Sequence, residues 1–331
     1  MNNSQEAKTL GDWAKIAIQQ HYQKILKHEA LVLKDKDPEE LHQMRVGMRR
    51  LRTAIAGFSC AMILPKSVDE KKVGEIATIL GKLRDLDVLQ ETLNTMYLPV
   101  LSKTEQKKLE KLFIKIKKRR KVIAKITKEI LHTNIYQNFK KDLNGWLEKP
   151  VYTAIASLST EHILPDLLSP QISAFLLHPA WILGSHISKT ENIIDFNIPA
   201  KRLEDLSHQE EMTLHSLRKE AKRTRYLMEL LLSFYGENYQ EMLKKIKQVQ
   251  EVLGEIQDGF VLRQILGQVY GHDLQKVLPI MAQKIREHRS QNGLQWEELR
   301  QFFLSPANRT QLRLSIQSPE LILETVVSTL S

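Results

Sequence analysis

The chain has 331 residues, 42% of them apolar, so one large or two ordinary domains with a full core can form. Thirteen glycines and eleven prolines are few for this length and favour helix over sheet or disorder, and the single cysteine, Cys60, excludes an intrachain disulfide and any cysteine-rich metal site. A formal net charge of +10 points to a polyanionic partner: nucleic acid, anionic lipid or a phosphate polymer.

The polar N-terminus has no apolar h-region, and no window approaches eighteen uninterrupted apolar residues. A soluble cytoplasmic protein with no membrane partner is therefore expected. Helical periodicity begins over 8–33, with Leu10, Trp13, Ile16, Ala17 and Tyr22 on one face. DKDP at 35–38 ends that helix and places Pro38 at the first position of the next, about 39–64. A third helix starts near Asp69, Pro99 interrupts, and a very basic helix follows over about 104–132, then another over 136–146. Between 150 and 213 the prolines at 150, 165, 170, 179 and 199 divide the chain into a short helix or two and a crossover. Helices are expected again at about 206–235, 239–266, 272–290 and 294–304. No stretch alternates as a strand should.

Two segments repeat. Pairing Leu41 with Leu214 sets His42 on His215, Arg45 on Arg218, Arg49 on Lys222, Arg50 on Arg223 and Arg52 on Arg225, an offset of 173. The same offset carries ILGKLRDLDVL at 79–89 onto VLGEIQDGFVL at 252–262, matching Gly81 with Gly254 and Asp85 with Asp258. Two motifs at one offset indicate an internal duplication. The expected fold is all-α, two pseudo-twofold-related four-helix bundles, with 41–64 and 212–235 facing each other across the axis.

On a helical wheel Met44, Met48, Leu51, Ile55 and Phe58 fall on one side, and Arg45, Arg49 and Arg52 fall beside His42 at their border. The second copy repeats this, with Leu217, Ala221, Met228 and Leu231 apolar and His215, Arg218, Lys222 and Arg225 basic. Arg50 and Arg223 point elsewhere in both copies. Guanidinium forks match phosphate oxygens and stay charged, so a row at one-turn spacing suits a ligand with repeated phosphates. A solvated helix face is the bland alternative, and duplication with no acid among the basic positions weighs against it.

HQMRVGMRRLR with LGKLRDLDVL, and LHSLRKEAKRTRYLMEL in the second half, resemble the CHAD family, the conserved-histidine α-helical domain. The likeness covers about 8–305: a first bundle at about 8–150, a crossover at about 150–205 and a second bundle at about 206–305, leaving 306–331 as a C-terminal tail. It implies two related four-helix bundles that bind inorganic polyphosphate. It assigns His42, Arg45, Arg49, Arg50 and Arg52 to that site, with His215, Arg218, Lys222, Arg223 and Arg225 as their counterparts. Lys82, Arg84 and Lys219 lie within the same motifs and join the candidates. Lys222 replaces an arginine and Gln257 stands where Arg84 does, so the two halves are not equal. Some members of the family are fused to triphosphate-tunnel enzymes; this sequence carries no such domain.

Residues 103–128 hold twelve Lys or Arg against two Glu. Arg119 and Arg120, mid-helix, are the best candidates there to extend an anion surface, with Arg286 and Arg289 as rough counterparts in the second half. Asp85 and Asp87 are read as orienting arginines rather than binding metal. No catalytic residue, metal site or cofactor is expected, because neither histidine has an activating carboxylate and no Walker A, HExxH or GxGxxG setting occurs. Nucleic acid is the alternative partner, disfavoured by an aromatic content of only 6%. A polyphosphate-processing enzyme is the third reading. The resemblance is compatible with targeting to polyphosphate granules, with regulation of polyphosphate storage and with scaffolding.

Overall fold

A computed structural model describes residues 8–183, 206–271 and 273–319, and the backbone of 186–187 and 194–195. The chain is all-α in class, its one pair of strands among the described residues being a two-residue antiparallel contact of β1 (His186–Ile187) with β2 (Ile194–Asp195). Most of the expected crossover at 184–205 lies outside the described residues. The described chain divides into two compact units, 8–99 with 107–164, and 100–106 with 165–319.

The first unit is built on α1 (Leu10–Lys34), α2 (Pro38–Gly57), α3 (Glu70–Thr92), α4 (Lys103–His132) from its second turn on, and α5 (Asn134–Glu148). Thr9 and Asp12 form a capping box at the start of α1. Asp37 accepts from the Glu39 N–H and Pro38 takes the first helical position of α2, as the DKDP motif predicts. Asp35 closes α1 in the left-handed region at φ 49°, its N–H reaching Leu31 and Val32 O. α1 and α2 approach closely at Gly47, where a β-carbon would meet Ile25 Cγ1 at 2.9 Å. The core takes Trp13, Ile18 and Tyr22 from α1, Met44, Met48, Leu51 and Ile55 from α2, Ile76, Leu80 and Leu83 from α3, and Tyr136, Phe139, Leu143 and Trp146 from α5.

The second unit holds most of α6 (Thr160–Leu176) with α7 (His208–Leu230), α8 (Glu237–Tyr270), the single turn α9 (Leu274–Val277), α10 (Pro279–Leu304) and α11 (Pro306–Leu314). Trp181 stacks on Trp296 at 5.3 Å between ring centroids, and Phe175 stands edge-on to both Trp181 and Phe303. Arg300, fully buried, is neutralised there by Glu297 at 2.8 Å and donates to Trp181 O.

Several boundaries differ from the sequence reading, among them the end of α2, which stops at Gly57 rather than near 64, and the helix expected over 272–290, which is divided at Leu278 into α9 and α10. Pro165 and Pro170 do not divide α6, because Leu164, Leu168, Ile172 and Phe175 are buried along one face and packing overrides the propensity. The break expected at 290–294 is absent: Asn292 and Gly293 are buried inside a continuous α10. The tail expected from 306 instead begins with α11, whose Leu312 is fully buried, and Ile316 is buried just beyond it.

One core group makes acid stability predictable. Burial, with Arg50 and Lys24 nearby, lowers the His21 pKa from 6.5 to about 3. The native imidazole is therefore neutral, while the unfolded one takes up a proton below pH 6.5. Stability is fully present above pH 6.5 and falls by about 1.4 kcal/mol per pH unit as pH drops toward 3. Urea melts at pH 6.5 and 4.5 are expected to differ by about 2 kcal/mol more in the native chain than in His21→Gln; equal losses in both would place the acid sensitivity elsewhere.

Candidate functional site

On α2 the sequence places His42, Arg45, Arg49 and Arg52 beside the buried stripe, and all four are half-buried at its edge. α3 packs against that edge with glycines beneath two of the arginines. Arg52 lies across Gly74, where a β-carbon would come within 3.1 Å of the guanidinium carbon, and Arg45 lies across Gly81, with Nη2 3.7 Å from such a carbon. Gly81 therefore seats an arginine rather than bringing two helix backbones together. Arg45 Nη1 donates to Gly81 O and to Asp85 Oδ1, both at 3.2 Å. Arg52 Nη2 donates to Glu70 Oε1 at 2.8 Å, and Arg84 faces Glu91 at 3.8 Å.

These fixed cations act on His42. Burial holds its pKa below the usual histidine range against an upward pull from Glu39, and Arg84, Arg49 and Arg45 lower it further. The ring is neutral at neutral pH, so its N–H can donate to an anion. Nε of Arg52 and of Arg84 are buried without a hydrogen-bond partner. The row thus presents several anchored cationic groups along about 15 Å of helix.

The second unit repeats the core of this arrangement. Arg218 lies across Gly254 on α8, its Nε 3.4 Å from where a β-carbon would stand. The duplicated pairs Arg45–Gly81 and Arg218–Gly254 therefore share one packing motif. His215 is half-buried with Nδ1 unpartnered, its pKa lowered by burial and then by Lys219, Arg218 and Lys222. Departures lie at the row's far end. Arg225 Nε donates to Glu229 Oε1 at 2.6 Å and Nη1 to Gln250 Oε1, and the offset puts Lys247 where Gly74 seats Arg52.

The remaining candidates separate. Lys82 and Lys219 are exposed beside the rows, and Arg223 is exposed and pairs with Glu220 at 3.3 Å. Arg50 faces α1, near Lys24 and His21, and has no acidic partner among the described residues. Lys24, whose own pKa is lowered by burial and Arg50, was not a candidate in the sequence; its only signal is its place beside the buried Tyr22 and Ile25 on α1.

Arg119 is exposed, whereas Arg120 is clasped by Asp35 and Asp87, with Nε 2.6 Å from Asp87 Oδ1 and Nη2 2.9 Å from Asp35 Oδ1. Arg286 is exposed and donates to Gln275 Oε1, and Arg289 is buried with its guanidinium 4.9 Å from the Phe260 ring centroid. The clasp and the core position give Arg120 and Arg289 contacts that hold helices together. The repeat offset sets Asn292 and Gly293, not Arg286 and Arg289, against Arg119 and Arg120. Asp85 and Asp87 each hold an arginine, and no group of three His, Cys, Asp or Glu side chains among the described residues is arranged as metal ligands.

The CHAD domain sequence profile matches residues 16–267. The crystal structure of the CHAD domain from the plant Ricinus communis is similar in fold, with 22% identity and a TM-score of 0.58, covering 95% of this chain and 94% of that one. PptA from Streptomyces chartreusis is similar at 13% identity and a TM-score of 0.57, covering 94% of this chain and all of that one. No curated protein matches the chain.

Proposed function

The chain belongs to the CHAD family, and we propose that it is a non-catalytic protein that binds inorganic polyphosphate through the basic rows of α2 and α7. The observation that carries the reading is the seating of each row's leading arginine on a helix glycine, Arg45 on Gly81 and Arg218 on Gly254. A guanidinium held in this way has already lost much of its rotamer freedom, so binding costs less entropy. Along each row the groups recur at about one-turn spacing, which suits successive phosphates of a polymer and leaves most of the row unneutralised by a single orthophosphate. His42 and His215 serve as neutral donors among the cations. Placement of the protein at polyphosphate granules would follow from this affinity.

Long polyphosphate is expected to bind far more tightly than pyrophosphate or orthophosphate, and the observed association constant should fall steeply with salt as condensed counterions are released. Calorimetric titrations with the three ligands and with duplex DNA at matched salt test this. Equal affinity for orthophosphate and the long chain would mean that the row is not one site, and DNA that displaces bound polyphosphate at lower concentration than the reverse would favour a nucleic-acid partner.

A further inference from the structure

The outer face of α4 carries a second kind of basic surface. Lys111, Lys115, Lys118 and Arg119 are exposed along it and make no ion pair among the described residues. Between them, at the middle of the same solvent-facing side, stand Ile114 (56% exposed) and Val122 (60%), with Ile126 (42%) one turn on. Single exposed apolar residues are ordinary. Here three β-branched side chains share one helix face, from 114 to 126 about 18 Å of helix, among those cations and Lys125, which is paired with Glu129 at 3.8 Å at the far end beside Ile126.

We propose that this face of α4 docks on an anionic lipid surface, the helix lying in the plane of the headgroups. Charge decides against the simpler occupants. A second copy of the same face would bring unpaired lysines against unpaired lysines. Polyphosphate and duplex DNA would satisfy the cations and leave the isoleucines and valine without a partner. Phe113, the only aromatic residue of α4, is not on the exposed face, so no base-stacking platform is offered. A bilayer surface uses both sets of side chains: anionic headgroups for the lysines, whose stems can reach upward, and the acyl boundary for Ile114 and Val122. No helix among the described residues is long and apolar enough to cross a membrane, and a surface-lying helix needs no such segment. The sequence reading, which equated a membrane partner with a spanning segment, expects none.

The proposal does not rest on polyphosphate binding, because the residues concerned lie outside both rows. It is tested with the full chain and vesicles of phosphatidylcholine with and without phosphatidylglycerol, at 0.1 M salt. The protein is expected to sediment with the anionic vesicles at least tenfold more strongly than with the neutral ones. Ile114→Ser with Val122→Ser should reduce that partitioning at least tenfold while changing polyphosphate affinity less than twofold, and Val122→Trp should increase it severalfold. Absence of binding to anionic vesicles overturns the proposal. So does binding that ignores both the serine and the tryptophan substitutions, since the attraction would then be charge alone. Loss of duplex DNA binding in Lys111→Gln with Lys118→Gln, without any vesicle binding in the native chain, would assign the face to nucleic acid instead.

Discussion

Replacing Arg49 and Arg52 together by alanine is expected to lower polyphosphate affinity at least a hundredfold and to leave the fold in place. Each charge-assisted contact to a phosphate contributes about 1.5–3 kcal/mol, and two of them amount to at least two decades in the binding constant. The cost to folding is small because both side chains stand at the border of the core. The ion pair that Arg52 makes with Glu70 joins side chains 37% and 49% exposed, and such a pair contributes about 0–1 kcal/mol. The control is Met48→Ala. Met48 is fully buried one residue from Arg49, so its truncation should cost about 2–5 kcal/mol in stability and change the affinity of the folded protein little. Thermal melts and a binding isotherm on each variant decide. If the double arginine variant lost its melting transition and kept its affinity, while Met48→Ala did the opposite, the two faces of α2 would be assigned the wrong way round.

The legibility of that helix in the sequence has a physical cause. A 3.6-residue period converts residue type directly into direction, and Met44, Met48, Leu51, Ile55 and Phe58 are all buried where the wheel puts them, with His42, Arg45, Arg49 and Arg52 along their margin. The start of α2 was equally readable at Pro38, whose fixed φ suits the first helical position. What stayed hidden depends on contacts distant in sequence. Gly74 beneath Arg52 reads as an ordinary helix glycine until α3 is laid against α2. Pro165 and Pro170 read as breaks because the burial of Leu168 and Phe175 that outweighs them is a property of the folded unit. Arg289 resembled a surface arginine at helical spacing from Arg286, yet Phe260 from α8 covers it. The repeat pairs Arg52 with Arg225 as plainly as Arg45 with Arg218, but only the second pair keeps a glycine seat in both units, since Lys247 stands where Gly74 lies beneath Arg52.

Arg120→Ala is expected to act on stability, in contrast to its neighbour. Arg120 joins three elements of the first unit: Asp35 at the C-terminus of α1, Asp87 on α3 and its own α4. The partners are 85 and 33 residues away along the chain, which is why the sequence offered Arg120 and Arg119 as equivalent anion ligands. Asp87 is only 7% exposed, its Oδ1 is held by Arg120 Nε and its Oδ2 has no hydrogen-bond partner. Removing the guanidinium leaves that carboxylate buried and uncompensated, which in a fully buried pair costs about 3–5 kcal/mol. Arg120 itself is 24% exposed, so solvent offsets part of the loss and about 2–4 kcal/mol is expected. Arg119→Ala, at an exposed position with no ion pair among the described residues, should change stability by less than about 0.5 kcal/mol. A second substitution separates lost charge compensation from lost packing. Asp87→Asn in the Arg120→Ala background removes the stranded charge and should recover a good part of the stability, whereas a clasp that acted only by packing would gain nothing from it. Denaturant melts of Arg119→Ala, Arg120→Ala and the Asp87→Asn double variant test the assignment, and a polyphosphate isotherm on folded Arg120→Ala completes it. An affinity loss of tenfold or more with unchanged stability would return Arg120 to the binding surface.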